Sequence, residues 1–154
     1  LLDPGLSAEE VFAALAPVFL NESIEKCLFD SKHARHILQG TGISLKGDVF
    51  DLMIADYLLH AIHPADTLKT ICAERGMPEC PASMLALESV ITGELREKGL
   101  WKLYEEVELP LTRVLYDMER EGFAVDRDML RELSDRFAAR IDEMEGEIYS
   151  LAGE

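Results

Sequence analysis

The feature that most constrains the fold is a long stripe of apolar side chains near the end of the sequence. Asp126 precedes this stripe and can accept hydrogen bonds from the free N–H groups of a first helical turn. The spacing of three and four residues, with charges between, is that of an α-helix with one apolar face. The sequence therefore predicts an amphipathic helix of about seven turns at 3.6 residues per turn, whose apolar face needs a surface to pack against. The stripe consists of Leu130, Leu133, Phe137, Ile141, Met144, Ile148 and Leu151.

Shorter segments upstream show the same helical period, and each is bounded by residues that start or stop helices. Ser7 and Glu10 have the spacing of a capping box, and Pro17 should kink or end the helix that follows. A brief apolar run at residues 26–29 predicts a strand, after which Asp30 should cap a helix that stops at Gly40. The pattern thus predicts a mainly α fold with at most one or two short strands. Further helices are predicted from Leu52 to a stop before Pro64, from an Asp66 cap to Gly76, over residues 82–97, and over residues 100–120 with a bend or break near Pro110.

The charge balance argues against strong binding of nucleic acid by this chain alone. Its 15 Lys and Arg residues and 30 Asp and Glu residues give a formal net charge of -15. Such a charge repels a phosphate backbone unless basic side chains gather on one face. No apolar run approaches the ~20 residues of a membrane helix, and no signal peptide is recognisable, so we expect a cytoplasmic protein with no membrane partner. Three cysteines without a Cys-x-x-Cys pair favour reduced thiols.

Two stretches carry a resemblance to a known family. The first comprises residues 27–35 (CLFDSKHAR) and 42–59 (GISLKGDVFDLMIADYLL), and the second is residues 106–126 (EVELPLTRVLYDMEREGFAVD). In this order they resemble the bacterial DNA polymerase I family, over about residues 9–154 and most weakly over residues 64–99. Together with a start at Leu1 rather than Met, the resemblance implies an internal piece of a longer enzyme. Residues 1–99 would be the C-terminal part of a 3′-5′ exonuclease-like domain with a ribonuclease-H-like α/β fold, and residues 100–154 the connecting helix and first long helix of the polymerase domain.

The resemblance also indicates where to look for proofreading chemistry. In this family, paired divalent ions held by several carboxylates hydrolyse the phosphodiester bond. Asp30 falls on the aspartate of the second exonuclease motif and Phe29 on its aromatic neighbour, but Lys26 stands where the family has asparagine. The third motif, a Tyr four residues before an Asp, has no match. Tyr104 with Glu108 is nearest, and the resemblance places that pair in the connecting helix.

We therefore expect an exonuclease-like domain without activity, with no catalytic and no cofactor-binding residue in this chain. Asp30 is the one candidate metal ligand, as a remnant of the family site. An aspartate between a strand and a helix can instead be a plain helix N-cap. The resemblance implies that the longer enzyme is a magnesium-dependent, DNA-directed DNA polymerase that binds DNA in replication and repair.

A different hypothesis treats the similarity as accidental and the chain as a stand-alone helical interaction module, with metal binding as one option. Its histidines fall into two pairs spaced three residues apart, and nearby thiols or a carboxylate could complete a tetrahedral zinc site. Surface or packed histidines are the alternative. The side chains in question are His33, His36, His60, His63, Cys27, Asp30 and Cys72.

Two further alternatives concern the surface of the predicted helices. The stripe from Leu130 to Leu151 could pair with a second copy as a coiled coil or pack within a longer chain, and self-association is expected where its normal neighbours are missing. Arginines interleaved with acids at helical spacing indicate either a solvated, salt-bridged face or a phosphate-contacting surface. These arginines are Arg113, Arg120, Arg127, Arg131, Arg136 and Arg140.

Overall fold

A computed structural model describes residues 5–153 and shows a mainly helical chain with two short strands. The predicted mainly α fold is therefore confirmed. In chain order the elements are α1 (Ala8–Leu20), β1 (Lys26–Leu28), α2 (Ser31–Gly40), β2 (Val49–Asp51), α3 (Leu52–Leu59), α4 (Leu68–Glu74), α5 (Pro81–Glu97), α6 (Trp101–Leu103), a π-helical turn (Tyr104–Glu108), α7 (Leu109–Glu121) and α8 (Arg127–Ala152).

The two strands form a small parallel sheet. Its register runs from the pair Lys26 and Val49 to the pair Leu28 and Asp51. Parallel strands need a crossover connection, and α2 with the loop after it supplies one. Because the carboxyl ends of parallel strands meet at the same edge, the residues that follow β1 and end β2 lie on one side of the sheet.

The hydrophobic core lies where α3 and α5 pack together and against the sheet. Along α5, Leu87, Ile91 and Leu95 recur every four residues and are completely buried, which is the stripe expected of a helix that packs on one face. Leu52 of α3 and Ile71 of α4 are buried to the same extent. Each such side chain stabilises the fold by roughly 1.5–3 kcal/mol relative to full exposure.

The residues that begin the helices match the predictions in most places. Ser7 and Glu10 form the predicted capping box, and the Asp30 and Asp126 side chains accept N–H groups from the first turns of α2 and α8. The predicted cap at Asp66 is wrong. Its neighbour Thr67 caps α4 instead and accepts the N–H of Thr70.

Two prolines lie inside helices and have different effects. Helix α1 continues through Pro17 to Leu20, so the predicted early stop is wrong: Pro17 lies in the last turns, where it removes a single hydrogen bond. Before Pro110 the backbone widens into the π-helical turn, and the N–H of Leu109 donates to the carbonyl of Tyr104, five residues back. The chain stays helical from Trp101 to Glu121, so the predicted break near Pro110 is wrong, and the backbone widens into a π-helical turn there instead.

The chain divides into two compact units, with the boundary after Arg120. Residues 5–120 contain the core described above. Residues 121–153 contain α8, which is 26 residues long, ends at Gly153 with φ 80° and has no buried residue. The family-based domain boundary at residue 100 stays a prediction, as does the surface that covers the apolar stripe of α8. No helix among residues 5–153 is long and apolar enough to cross a membrane.

Candidate functional site

The residues at the carboxyl edge of the sheet include two aspartates that occupy equivalent positions. Asp30 follows β1 and is the N-cap of α2, and Asp51 ends β2 and is the N-cap of α3. Each is preceded by a phenylalanine, Phe29 or Phe50. The parallel register therefore brings both carboxylates to one edge of the sheet, where they interact electrostatically.

The carboxylate of Asp51 is fully buried and both of its oxygens accept backbone N–H groups. Oδ2 lies 2.7 Å from the nitrogen of Ser31, and Oδ1 lies 3.2 Å from the nitrogen of Ile54. Burial raises the pKa of Asp51 above its ordinary value of 3.8, these hydrogen bonds oppose that rise, and the charge of Asp30 adds to it. Asp51 thus links the first turn of α2 to the first turn of α3.

The Asp30 carboxylate, the predicted metal ligand, accepts the N–H of His33 at 2.9 Å through Oδ1. This is the N-cap geometry that the sequence offers as an alternative to metal binding. Among residues 5–153, the one group of three or more potential ligands close enough to hold an ion lies elsewhere, at Asp56, His60 and Glu74. Asp30 therefore has a structural partner and no ligand cluster around it in the described part of the chain.

Lys26 stands where the resemblance places an asparagine, and its side chain is buried at the start of β1. The residue is 6% exposed, and its ammonium donates to the carbonyl oxygens of Asn21 and Lys46. These carbonyls belong to the loops after α1 and before β2. Lys26 therefore joins two loops by donating hydrogen bonds to both of them.

Tyr104 belongs to the hydrophobic core and contacts the end of β2. It is 1% exposed, its hydroxyl oxygen accepts the N–H of Asp51 at 2.8 Å, and its ring packs on Phe50 and Trp101 at centroid distances of 5.3 and 5.5 Å. Burial raises the pKa of Tyr104, so its phenol stays protonated. Tyr104 positions the Asp51 backbone and, as a neutral phenol, cannot supply a charged ligand.

The sequence identified Asp30 but missed Asp51 and the partnership with Tyr104. A signal for Asp51 was present, because the pair Phe50-Asp51 before a helical stripe repeats the pair Phe29-Asp30. No comparable signal exists for Tyr104, which is 53 positions from Asp51 in the chain.

The group at Asp56, His60 and Glu74 is already occupied by a cation of the chain. The buried Asp56 carboxylate lies 3.1 Å from the Arg75 guanidinium and 3.1 Å from Nδ1 of His60. Arg75 also pairs with Glu94 at 3.4 Å. The positive guanidinium of Arg75 already neutralises the negative charge of the Asp56 carboxylate. A metal ion would need that negative charge in order to bind. We interpret this group as an internal ion-pair network joining α3, α4 and α5.

The two histidine pairs considered for zinc do not come together in the described residues. His36 lies 2.8 Å from a Glu119 oxygen and packs on the Tyr116 ring at 4.8 Å, whereas His60 bonds to Asp56. The thiol of Cys27 faces the Met84 carbonyl, and burial, followed by the charge of Glu88, raises its pKa to about 12. His36, His60 and Cys27 therefore have packing and hydrogen-bonding roles.

Comparison with known proteins identifies the family. Residues 7–83 match the family model of the DNA polymerase I, ribonuclease H-like domain. The chain belongs to the DNA polymerase I family. This confirms the resemblance predicted from the sequence and excludes an accidental similarity.

Relatives in the DNA polymerase I family extend the match over most of the chain. The chain is 31% identical over 162 residues to DNA polymerase I of Geobacillus stearothermophilus and 33% identical over 175 residues to that of Chloroflexus aurantiacus. These alignments cover 87% and 94% of this chain but 18% and 19% of those proteins. A thermostable DNA polymerase I of Thermus filiformis is 48% identical over 59 residues, which cover 38% of this chain and 7% of that protein. The chain thus spans less than a fifth of the length of the relatives that it matches.

The described residues do not fit the paired metal ions of a phosphodiester-hydrolysing centre. Such a centre needs several carboxylates with oxygens directed at two ions. Asp51 uses both oxygens on backbone N–H groups, and Asp30 uses one. The two aspartates at this edge of the sheet therefore serve as the N-caps of α2 and α3.

Proposed function

We propose that this chain is a noncatalytic, exonuclease-like segment of a longer DNA polymerase I, with degenerate proofreading motifs and an architectural role. In this proposal the longer enzyme is a cytoplasmic, magnesium-dependent DNA-directed DNA polymerase that contacts DNA in replication and repair. Membership of the family supports the identity of the segment. One observation carries the noncatalytic part: the Asp30 carboxylate caps α2, and no ligand group forms around it within residues 5–153.

Lys26 supports the same conclusion from an independent position. An ammonium group close to a metal pair would oppose the positive charge of the ions, since like charges repel strongly where water is excluded. In this chain the buried ammonium instead satisfies two backbone carbonyls. A lysine in place of the asparagine thus stabilises the fold through these hydrogen bonds. Its positive charge would oppose the binding of metal ions nearby.

The architectural role rests on contacts that fix α7 to α2. Side chains of α2 meet side chains of α7 at four points: Ser31 with Thr112 at 3.5 Å, Lys32 with Glu119 at 2.6 Å, His36 with Glu119 at 2.8 Å, and Gln39 with Tyr116 at 3.1 Å. Two of these contacts involve partly buried groups, so solvent weakens them less than it weakens the exposed ion pairs. These contacts hold α7 against α2 within the exonuclease-like unit, and in this proposal that support is the architectural role.

The proposal is tested with the full-length polymerase that contains this segment. Nuclease activity on single-stranded DNA is measured with magnesium and with manganese, beside primer extension on a primer-template, for wild type and Asp30→Ala. We expect primer extension from both proteins and no 3′-5′ degradation from either. Degradation by the wild type that Asp30→Ala abolishes would show that Asp30 is a working metal ligand and would refute the noncatalytic role.

A further inference from the structure

A small cavity opens between α2, α7 and the loop that follows α2. Its volume is about 210 Å³, and its lining contains Arg35, Arg113 and Arg120 and no acidic residue. The chain has a net charge of -15 and 15 basic residues, so three arginines around one cavity form a local concentration of positive charge. We propose that the cavity is a binding site for a phosphate group. The proposal is independent of the proposed function, because none of these arginines belongs to the edge of the sheet around Asp30.

Arg35 lines the cavity and carries a buried donor without an acceptor. Its Nη1 donates to the carbonyl of Leu45 at 3.1 Å, but its Nε is buried and has no hydrogen-bond partner. A buried donor without an acceptor is unfavourable, and the great majority of such groups in proteins are paired. Burial, followed by the charge of Arg113, lowers the pKa of Arg35. An oxygen anion beside the guanidinium would accept a hydrogen bond from Nε. Its negative charge would also stabilise the protonated form of Arg35 and so oppose the lowering of the pKa.

The other two arginines share a single carboxylate. Asp117 lies 3.3 Å from Nε of Arg113 and 3.9 Å from Nη2 of Arg120. Three arginines therefore line the cavity, and two of them share the single carboxylate of Asp117. The side chains of Arg113 and Arg120 are 58% and 50% exposed, so both can turn toward a ligand without unpacking the core. The structure thus shows Arg113 and Arg120 in a salt-bridged arrangement with Asp117, and the proposal adds a phosphate to the same side chains.

Uncharged donors complete the cavity. The hydroxyl of Tyr116 donates to Oε1 of Gln39 at 3.1 Å, which uses the amide oxygen and leaves the amide nitrogen as a donor. Ser44 adds a hydroxyl from the loop after α2. Hydrogen-bond donors therefore outnumber acceptors among the polar side chains of the lining.

The chemistry of these donors selects phosphate over other anions. Guanidinium groups offer parallel N–H donors that match the oxygens of phosphate, and several together balance a group that carries up to two negative charges. The phosphate can come from a free nucleotide or from the backbone of a DNA strand. Both sources present the same oxygens to the three arginines.

The test measures binding of inorganic phosphate to the full-length polymerase by equilibrium dialysis at low salt. Wild type is compared with Arg113→Gln, with Arg113→Gln/Arg120→Gln and with Lys102→Gln. Lys102 is a matched control, because it is an exposed cation of the same unit that pairs with Glu106 as Arg113 pairs with Asp117. Losing one charged donor should weaken binding about tenfold, the double variant should bind less than Arg113→Gln, and the Lys102 variant should bind like wild type.

Folding is checked separately so that a structural effect is not taken for a binding effect. Arg35 is left unchanged in these variants, because its partly buried side chain holds the Leu45 carbonyl and its removal would destabilise that loop. The exposed positions Arg113 and Arg120 should keep the melting temperature of wild type. Unchanged phosphate binding in the double variant, or an equal loss in Lys102→Gln, would overturn the proposal.

Competition then identifies the source of the phosphate. Adenosine monophosphate and a short single-stranded oligonucleotide are added in turn against inorganic phosphate, with adenosine as the control that lacks a phosphate. Displacement by the nucleotide alone assigns a free nucleotide, and an oligonucleotide affinity that depends on Arg113 assigns a DNA strand. Displacement by neither, or by adenosine, contradicts a phosphate site. Because these assays measure neither primer extension nor nuclease activity, their result is separate from the test of the noncatalytic role.

Discussion

The phenolic oxygen of Tyr104 accepts the backbone N–H of Asp51 at 2.8 Å, although the two residues are 53 positions apart. This bond joins the π-helical turn before α7 to the junction of β2 and α3. The Asp51 carboxylate in turn accepts the N–H of Ser31 at the start of α2. Tyr104 therefore attaches the π-helical turn to the carboxyl edge of the sheet.

Replacing Tyr104 with phenylalanine should destabilise the chain while preserving its packing. The ring still fills its place against Phe50 and Trp101, but the buried N–H of Asp51 loses its acceptor, at a cost of about 1–3 kcal/mol. Tyr57→Phe is the control, because Tyr57 is 45% exposed and its change should stay within about 0.5 kcal/mol. The free energy of unfolding is measured by urea denaturation. Equal values for the two variants would show that the Tyr104 hydroxyl contributes nothing.

The raised pKa of Asp51 predicts how stability depends on pH. A carboxyl group whose pKa rises on folding binds a proton more readily in the folded state than in the unfolded chain. Its contribution to stability is therefore fully present below the ordinary pKa of 3.8 and is lost as the pH rises through the raised value. The amide of an asparagine does not ionise, so the substitution Asp51→Asn removes this loss.

The quantity to measure is the difference in unfolding free energy between Asp51→Asn and wild type, from about pH 4 to about pH 7. An asparagine still caps α3 through one oxygen but offers no second acceptor to Ser31, so the variant can be less stable at every pH. The predicted result concerns the trend: the difference shifts in favour of the variant as the pH rises. A difference that is constant, or that shifts toward wild type, would contradict a raised pKa at Asp51.

Asp30 should behave as a helix cap. Asp30→Ala removes the acceptor for the N–H of His33 and should lower stability by about 1 kcal/mol, whereas Asp30→Asn and Asp30→Ser should keep most of the stability. Urea denaturation is carried out with and without magnesium. A stabilisation by magnesium that is present in wild type and absent from Asp30→Asn would instead indicate a bound ion, since ligands stabilise the state that binds them.

Local features of this fold were predictable from the sequence, and contacts between distant segments were not. The caps at Ser7, Asp30 and Asp126 depend on residues within one turn, so their patterns sufficed. The cap of α4 was misplaced by one residue, because Asp66 and Thr67 are both good caps and the backbone conformation decides between them. The resemblance to the family indicated that Asp30 lies in an exonuclease motif. The local pattern of a strand followed by a helix indicated that Asp30 is an N-cap.

The remaining parts of the site and cavity depend on packing that brings separate helices together. Arg35 and Arg113 belong to α2 and α7, and only the docking of these two helices places them in one cavity. The sequence indicated the arginines of α7 as a salt-bridged or phosphate-contacting face but gave no sign of Arg35. The buried role of Lys26 was likewise hidden, because a lysine at the start of a strand is usually exposed.

The loop before β2 makes a close approach that only glycine permits, and this yields a matched pair of variants. Gly47 has φ 75°, and a Cβ there would lie 2.7 Å from the carbonyl oxygen of Glu22, whereas Gly42 has φ 76° with nothing within 4 Å of its Cβ position. Gly42→Ala should therefore cost about 1 kcal/mol for the left-handed backbone alone. Gly47→Ala should cost clearly more in urea denaturation, because the backbone of Glu22 must also move, and with it the Asn21 and Lys46 carbonyls that hold the Lys26 ammonium. Equal losses for the two alanines would mean that the loops after α1 and before β2 do not pack as closely as the structure shows.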